Sequence, residues 1–360
     1  MAALQMFYNL STGLWDTTGW WNSANALETT IDYSAITQTI TYRTNVFNTF
    51  EKNKHTNFLN PWFYDDQGWW ALTWIKAYDL TGDTRYLEMA KTIFEDLKQG
   101  WDSTCGGGVW WHKRREYKNA ITNELFLAIA AKLHLRTPNS TGEDSYLNWA
   151  KRSWEWFKNT GMINANNMVN DGLDQACQNN GKTTWTYNQG VILGGLVDMY
   201  QITHDRTFLQ QAEAIADAAL KNLAPNGILQ EPCEPNADCG ADGPQFKGIF
   251  IRNLSVLYRV LPKPQYKAFI AHNAESIWSR RDRSNQLGLS WAGQFDRADA
   301  SRQSAAMDAI NAAISLGTNG LTYQAEDAAL QNGKSLRSSQ DTGEQATLKM
   351  NPETMLSPSR

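Results

Sequence analysis

Two adjacent carboxylates, Asp65 and Asp66, are the residues of this sequence whose types and spacing best suit a chemical role. They lie in the run Asn60-Pro61-Trp62-Phe63-Tyr64-Asp65-Asp66-Gln67-Gly68-Trp69-Trp70, where a helix is expected to begin. Aromatic faces can stack on sugar rings, and the cleavage of a glycosidic bond requires two close carboxyl groups. The pattern therefore makes carbohydrate chemistry the first hypothesis.

The alternative for this pair is a structural role, in which one aspartate caps the helix and both favour its positive end. One aspartate would meet that need, whereas two close like charges also push each other's pKa values apart. The carboxylate with more hydrogen bonds would stay ionised, and the other would keep its proton near neutral pH. Those are the states of a nucleophile and a general acid in a retaining glycosidase, although the residues alone do not say which aspartate takes which role.

Polar and aromatic residues near other expected helix starts are candidates for sugar binding. In the doublets Trp20-Trp21, Trp69-Trp70 and Trp110-Trp111, one ring could pack inward and the other could face a ligand. Asp171 suits either a turn or a contact with sugar hydroxyls, and Asn119 suits either a helix cap or a ligand contact. The predicted substrate-binding residues are Trp21, Asn22, Asn25, Trp69, Trp111, Asn119, Asn123, Asp171, Tyr187, Asn188 and Gln189.

Charge and motif content argue against several other functions. The net charge is −4 over 360 residues, and the longest basic run is Lys113-Arg114-Arg115, which is too little for a nucleic-acid surface. No apolar run approaches the length of a membrane span. The five histidines form no cluster, and no Gly-x-Ser-x-Gly motif is present, so zinc catalysis and Ser-His-Asp hydrolysis are disfavoured. We expect no metal, no organic cofactor, no nucleic-acid partner and no membrane anchor.

Four cysteines allow three disulfide pairings, which spacing alone does not separate. A local bridge between Cys233 and Cys239, across a turn-rich loop, would leave Cys105 to pair with Cys177. Glycosylation sequons begin at Asn9, Asn139 and Asn253. Sequons and paired cysteines together favour a secreted glycoprotein. No signal peptide opens the chain, and its start is typical of a helix interior, so we expect an upstream segment to be absent.

The chain repeats a pair of helices. An amphipathic stripe, with apolar residues at offsets 0, 1, 4, 7, 8 and 11, begins at Tyr86, Tyr146 and Phe208, with a weaker copy at Tyr266. Between the striped helices lie segments that are apolar almost all round, and these begin near Trp21, Asp65, Lys118, Tyr187, Gln245 and Ala300. An open solenoid of helix hairpins would show the same repeat. Six polar helix starts that can converge on one cavity favour closure instead, so we predict an all-α fold, an (α/α)6 barrel of six inner and six outer helices.

We assign residues 1–318 to the barrel, with an N-terminal helix through Phe7 and Tyr8 as the outer partner of the last inner helix. Residues 319–360 are rich in Gly, Ser, Asn, Gln and Thr and carry no helical stripe. The opening of this polar tail resembles the first strand of a carbohydrate-binding β-sandwich module, but about forty residues are too few to build one. The tail is therefore either the remnant of such a module or a disordered segment.

Several motifs resemble, in order, those of glycoside hydrolase family 76. They are Trp20-Trp21-Asn22-Ser23-Ala24-Asn25, Tyr64-Asp65-Asp66-Gln67-Gly68-Trp69-Trp70, Gly106-Gly107-Gly108-Val109-Trp110-Trp111, Tyr117-Lys118-Asn119-Ala120-Ile121-Thr122-Asn123-Glu124-Leu125-Phe126 and Thr186-Tyr187-Asn188-Gln189-Gly190. The resemblance spans about residues 4–316. It implies an (α/α)6 barrel and an endo-acting α-1,6-mannanase that retains anomeric configuration. It also implies that Asp65 is the nucleophile and Asp66 the general acid/base, and more loosely that Asp171 touches sugar hydroxyls.

The resemblance leaves two activities open, because the family also contains cell-wall transglycosidases that share the covalent intermediate. One activity is the hydrolysis of α-1,6-mannan, and the other is transfer of the glycosyl group to a sugar hydroxyl. A third hypothesis, a mannan-binding scaffold without catalysis, is disfavoured by the intact pair Asp65-Asp66. We expect a secreted monomer whose partners are α-1,6-mannan or mannose oligosaccharides.

Overall fold

The structure, a computed structural model, describes residues 1–317. The predicted tail, residues 319–360, lies outside the described residues. The described part contains twelve α-helices and one two-stranded antiparallel ribbon. In chain order the elements are α1 (Ala2–Gln5), β1 (Tyr8–Asn9), β2 (Leu14–Trp15), α2 (Trp20–Thr37), α3 (Arg43–Asn53), α4 (Tyr64–Thr81), α5 (Thr84–Lys98), α6 (Ala120–Arg136), α7 (Tyr146–Asn159), α8 (Thr186–Thr203), α9 (Thr207–Leu223), α10 (Gly243–Val260), α11 (Pro264–Ser279) and α12 (Ala300–Ser315).

The six even-numbered helices form a closed inner ring. Each of them packs against the next, and α12 packs against α2 to complete the circle. These helices are buried on nearly every side, and in α6 every residue from Ala120 to Ala131 is buried. A helix without a polar face must lie inside the fold, and the closed ring leaves no free end. The (α/α)6 barrel is therefore confirmed, the open solenoid is excluded, and each inner helix begins within two residues of its predicted start.

The odd-numbered helices form the outer layer. Helices α5, α7 and α9 each pack against the inner helix that precedes them in the chain. The buried face of α5 is the stripe predicted from the sequence: Tyr86, Leu87, Ala90, Ile93, Phe94 and Leu97. Sequence analysis missed α3, which packs against α2. Its buried face contains Val46 and Phe50 but also Asn45 and Thr49, so no apolar stripe marks it.

The N-terminal segment corrects one expectation. Helix α1 packs against α12, as an outer partner should, but it ends at Gln5 and does not continue through Phe7 and Tyr8. Tyr8 instead pairs with Trp15 in the β1–β2 ribbon. Beyond the helix, the side chain of Asn9 accepts two backbone N–H groups of the following turn, a local pattern that competes with helical hydrogen bonding.

Both expected disulfides are present. The Cys105–Cys177 bond joins the loop before α6 to the loop before α8, and the Cys233–Cys239 bond closes the loop before α10. Both bonds therefore hold loops that precede inner helices, at the end of the barrel where those helices begin. Within residues 1–317, no helix has the length and apolar character needed to cross a membrane.

Candidate active site

Aromatic rings from the first two turns of four inner helices meet at one end of the barrel. The ring centroids of Trp21 and Trp69 are 5.5 Å apart, those of Trp69 and Tyr187 are 6.3 Å apart, and those of Tyr187 and Phe246 are 3.9 Å apart. These residues belong to α2, α4, α8 and α10. The contacts therefore bring the N-terminal ends of the inner helices together around one aromatic cluster.

The two rings of each tryptophan doublet lie in different environments. Trp20 contacts Trp70, which is fully buried in the core, whereas Trp21 and Trp69 join the aromatic cluster. In the third doublet, the indole N–H of Trp110 donates to Asp102, while the adjacent Trp111 reaches the carboxylate pair described below. One ring of each doublet thus supports the structure and the other lies at the candidate site.

Asp65 is a half-buried residue in the first turn of α4. Its Oδ2 accepts a hydrogen bond from Trp111 Nε1 at 3.0 Å, and its Oδ1 accepts one from the backbone N–H of Asp66 at 3.0 Å. Burial raises the pKa of Asp65 well above its usual range, and the charge of Asp66 raises it further. The two N–H donors act in the opposite direction, because they stabilise the ionised carboxylate.

Asp66 has different partners from its neighbour. Its Oδ2 accepts a hydrogen bond from Asn60 Nδ2 at 2.8 Å. Burial, followed by the negative charge of Asp242, raises the pKa of Asp66 to about 7. The N-cap position of α4 is occupied by Phe63, not by either aspartate. The pair therefore does not serve as the cap that the structural alternative required.

Asp242 is a third carboxylate at this site, and sequence analysis did not single it out. It lies directly before α10, and its Oδ1 accepts a hydrogen bond from Trp21 Nε1 at 2.9 Å. In the sequence it stands among glycine, alanine and proline, where an aspartate is an ordinary turn residue. Only closure of the ring brings the start of α10 close enough to α4 for its charge to act on Asp66.

Asp171 lies at the same end of the barrel. Its Oδ2 accepts a hydrogen bond from the hydroxyl of Tyr117 at 2.6 Å, and burial raises its pKa. The charge of Asp171 contributes to raised pKa values at Glu124 and Tyr187, behind burial in both cases. The charge of Asp65 also raises the pKa of Tyr187, so Tyr187 lies near both Asp171 and the carboxylate pair.

Three predicted substrate-binding residues use their side-chain amides to cap a helix or to hold a loop. Asn119 caps α6 by accepting a backbone N–H of its first turn. Asn123 accepts the backbone N–H of Val109 and donates to its carbonyl oxygen. Gln189 makes the same pair of hydrogen bonds with Val169. These amides are engaged by the backbone, and they fix the loops on which other site residues stand.

The remaining predicted residues separate into two groups. Asn22 and Asn188 are buried in the first turns of α2 and α8, and neither side-chain amide has a hydrogen-bond partner within residues 1–317. Asn25 lies one turn further into the barrel, where its Oδ1 accepts a hydrogen bond from Arg252. The structure therefore does not bring Asn25 to the carboxylate pair. Across the described residues, no group of three or more His, Cys, Asp or Glu side chains is arranged to hold a metal ion.

An (α/α)6 barrel that presents two carboxyl groups and an aromatic cluster at the starts of its inner helices has the architecture of a glycoside hydrolase. The model of glycosyl hydrolase family 76 matches residues 4–325, and the chain belongs to this family.

Named relatives support this assignment. The chain is 28% identical over 308 residues to mannan endo-1,6-alpha-mannosidase DCW1 of Candida albicans. This match covers 76% of this chain and 66% of the relative. It is 32% identical over 216 residues to mannan endo-1,6-alpha-mannosidase DFG5 of Saccharomyces cerevisiae, which covers 55% of this chain and 46% of the relative. The chain therefore spans less than two-thirds of the length of either protein.

A solved structure shows the same fold. The α-1,6-mannanase GH76A of Salegentibacter sp. HEL1_6 superposes with a TM-score of 0.77 at 25% identity, covering 88% of this chain and 97% of that chain. That structure is an inactive variant in complex with α-1,6-mannotriose, and the variant has asparagine in place of two consecutive aspartates.

Proposed function

We propose that this protein hydrolyses internal linkages of α-1,6-mannan with retention of anomeric configuration. The observation that carries the proposal is the pair Asp65-Asp66, whose two carboxyl groups have different hydrogen-bond partners beside a cluster of aromatic rings. The mannanase that loses activity when two consecutive aspartates are replaced supports a catalytic role for such a pair. The names of the curated relatives support mannan as the substrate class.

Asp65 is the proposed nucleophile. Two N–H donors, the indole of Trp111 and the backbone of Asp66, stabilise its carboxylate form. The charge of Asp66 is one of the two causes of the raised Asp65 pKa, and that cause disappears when Asp66 is protonated. We place the shared proton on Asp66, because two N–H donors stabilise the carboxylate form of Asp65 and one stabilises that of Asp66.

Asp66 is the proposed general acid/base, because a pKa of about 7 allows it to hold a proton and to take one back. In the first step a carboxylate oxygen of Asp65 bonds to the anomeric carbon while the bond to the leaving sugar oxygen breaks, and that oxygen receives the proton of Asp66. In the second step Asp66 removes a proton from water. The water oxygen then bonds to the anomeric carbon and releases Asp65 as a carboxylate.

Aromatic rings and a few polar groups beside the pair form the proposed sugar site. Trp21 and Tyr187 offer stacking surfaces, the buried ring of Trp69 packs against both, and Trp111 connects this surface to Asp65. Asp171 accepts hydrogen bonds from sugar hydroxyls. The side-chain amides of Asn22 and Asn188, in the first turns of α2 and α8, have unused hydrogen-bonding capacity. A small number of polar groups set among aromatic rings is the usual composition of such sites. Asn123 and Gln189 act here through the loops that they hold, and Asn119 acts through the helix start that it caps.

Secretion and a monomeric state remain part of the proposal. The Cys105–Cys177 and Cys233–Cys239 bonds support an extracellular location, because disulfides persist in oxidising compartments.

The test of the proposed activity is incubation of the protein with linear α-1,6-mannan. Product size is followed by chromatography, and the configuration of newly formed reducing ends is followed by proton NMR before mutarotation. Short products that are α-configured when first formed support a retaining endo-hydrolase. Products that are β-configured when first formed would overturn the assignment of a nucleophile. Products longer than the substrate would replace hydrolysis by transfer to a sugar hydroxyl.

Substitution of each aspartate separates their roles. Asp65→Asn and Asp66→Asn should each reduce turnover of mannan by on the order of 10³-fold or more, while circular dichroism shows an intact fold. With an aryl α-1,6-mannobioside, whose leaving group needs no proton, azide should restore turnover of Asp66→Asn and give an α-glycosyl azide. Azide with Asp65→Asn should instead give the β-glycosyl azide, because it replaces the nucleophile. Near-native rates in either variant would contradict the assignment.

A further inference from the structure

Trp62 is unusual among the tryptophans of this protein. All sixteen tryptophans lie within residues 1–317, and Trp62 alone is exposed, with 51% of its surface accessible. It stands three residues before Asp65, on the segment that leads into α4. Leaving a large indole in water forgoes the stabilisation that its burial would bring. The position of Trp62 therefore calls for an explanation other than packing.

The backbone of Trp62 is fixed relative to the proposed acid/base. Asn60 Oδ1 accepts the backbone N–H of Trp62 at 2.7 Å, while Nδ2 of the same side chain donates to Asp66 at 2.8 Å. On the other side, the backbone N–H of Lys113 donates to the carbonyl oxygen of Trp62 at 2.8 Å. The exposed ring is thus carried by a segment whose hydrogen bonds also hold Asp66.

Two polar side chains flank the exposed ring. The guanidinium of Arg114 lies 5.5 Å from the centroid of the Trp62 ring, and the imidazole of His112 lies 6.3 Å from it. The neighbouring cations of this basic run are paired, Lys113 with Asp96 and Arg115 with Asp102. No carboxylate among the described residues lies within ion-pair distance of Arg114, so its N–H donors remain available.

We propose that Trp62, His112 and Arg114 form an additional subsite for a mannose unit of the chain, on the leaving-group side of Asp66. The exposed part of the indole stacks on the sugar ring, and Arg114 donates hydrogen bonds to the hydroxyl oxygens of the sugar. The side follows from Asp66, because the group that protonates the leaving oxygen faces the leaving sugar, and Asn60 links that group to Trp62. This subsite rests on the proposed function, since it extends the same chain across the cleavage point.

Binding measurements test the subsite separately from catalysis. In an Asp65→Asn background, calorimetric titration compares α-1,6-mannotetraose with α-1,6-mannobiose. Adding Trp62→Ala should weaken tetraose binding about tenfold and leave mannobiose binding nearly unchanged. Trp62→Tyr should restore most of the affinity. Phe47→Ala is the matched control, because Phe47 is an aromatic residue of 52% exposure on the outer helix α3, and it should change neither affinity.

The outcomes distinguish the subsite from the proposed function. If the Asp65→Asn background bound neither sugar, the substrate class itself would be wrong. If it bound tetraose and Trp62→Ala bound tetraose equally well, only the subsite would be overturned.

The side is tested with the active enzyme and α-1,6-mannopentaose labelled at its reducing end. Loss of a leaving-group subsite should shift cleavage towards the labelled end, giving shorter labelled fragments. A shift towards the other end would overturn the placement.

Discussion

At the scale of single residues, the proposed roles of the carboxylate pair rest on the direction in which each side chain leaves the helix. Consecutive residues on an α-helix point about 100° apart, so adjacent carboxyl groups meet different neighbours. Asp65 meets the N–H of Trp111, whereas Asp66 meets Asn60 and the charge of Asp242. The residues alone indicated the pair but did not order it, because these partners lie on three separate segments; the order came from the family resemblance.

Asp242 provides a test of this electrostatic account. Asp242→Asn keeps an oxygen that can accept the N–H of Trp21 but removes the negative charge that helps to raise the Asp66 pKa. The pKa of Asp66 should therefore fall, and the alkaline limb of kcat/KM against pH should move to lower pH by on the order of 0.5 units. Asp238→Asn, an exposed carboxylate of the same loop, is the control and should leave the limb in place. An alkaline limb that stayed fixed or moved to higher pH in Asp242→Asn would refute the coupling.

At the scale of elements, amides in the first turns of inner helices position the loops of the site. Asn123 binds both the backbone N–H and the carbonyl oxygen of Val109, 14 residues earlier. Gln189 binds the same two groups of Val169, 20 residues earlier. Leaving those buried backbone groups without partners would cost free energy, so each loop has one favoured position. These hydrogen bonds fix long, irregular loops, and the site residues on them, relative to the inner helices.

These contacts between helix starts and loops also explain which site residues the sequence could and could not predict. The helix repeat predicted the ring and the six helix starts, because burial on all sides is encoded in local apolar content. Asn123 and Gln189 were predicted to bind sugar, because the sequence pattern of a polar residue at a helix start is the same whether its side chain binds a ligand or a loop. Their backbone partners lie on loops without a sequence pattern. Asp242 was missed for a related reason, because its role depends on α10 and α4 facing one another.

The two disulfides should make different contributions to stability. In the chain-entropy account, a bond that closes a longer loop stabilises the fold more, and the separations are 72 residues for Cys105–Cys177 and 6 for Cys233–Cys239. Replacing the first pair by serine should lower the free energy of unfolding by about 4 kcal/mol, and the second by about 2 kcal/mol.

Urea denaturation of the two double variants, compared with the native protein, measures this difference. The loop closed by Cys233–Cys239 leads into Asp242, with the backbone N–H of Gly243 bonded to the carbonyl oxygen of Cys239. Removal of the Cys233–Cys239 bond should therefore change the pH profile of kcat/KM, in addition to its small effect on the free energy of unfolding. Equal losses of stability in both variants would contradict the loop-length account.

At the scale of the whole molecule, the barrel encloses several carboxyl groups whose pKa values are raised by burial. They include Asp65 and Asp66 of the candidate site, together with Glu124, Glu231 and Asp308. The pKa of Glu231 is raised to about 8 and that of Asp308 to about 7, despite hydrogen bonds that favour ionisation. The folded protein therefore holds protons that the unfolded chain releases at much lower pH.

This proton binding determines how stability should depend on pH. Between about pH 4.5, where the unfolded carboxyl groups ionise, and about pH 8, the folded state binds more protons than the unfolded state, so the free energy of unfolding falls as pH rises. The melting temperature should thus increase by several degrees when the pH is lowered from 8 to 5. Glu124 is a sharp probe, because it is fully buried and neither carboxyl oxygen has a hydrogen-bond partner within residues 1–317.

Glu124→Gln removes the ionisation without changing the shape of the side chain. Because the raised pKa of Glu124 penalises its charged form, the variant should melt at a higher temperature than the native protein at pH 8, with a smaller difference at pH 5. Differential scanning calorimetry across that range measures both differences. Glu275→Gln, an exposed glutamate on α11, should leave the pH dependence unchanged. A Glu124→Gln difference that was the same at pH 5 and pH 8 would show that this carboxyl group does not couple folding to proton binding.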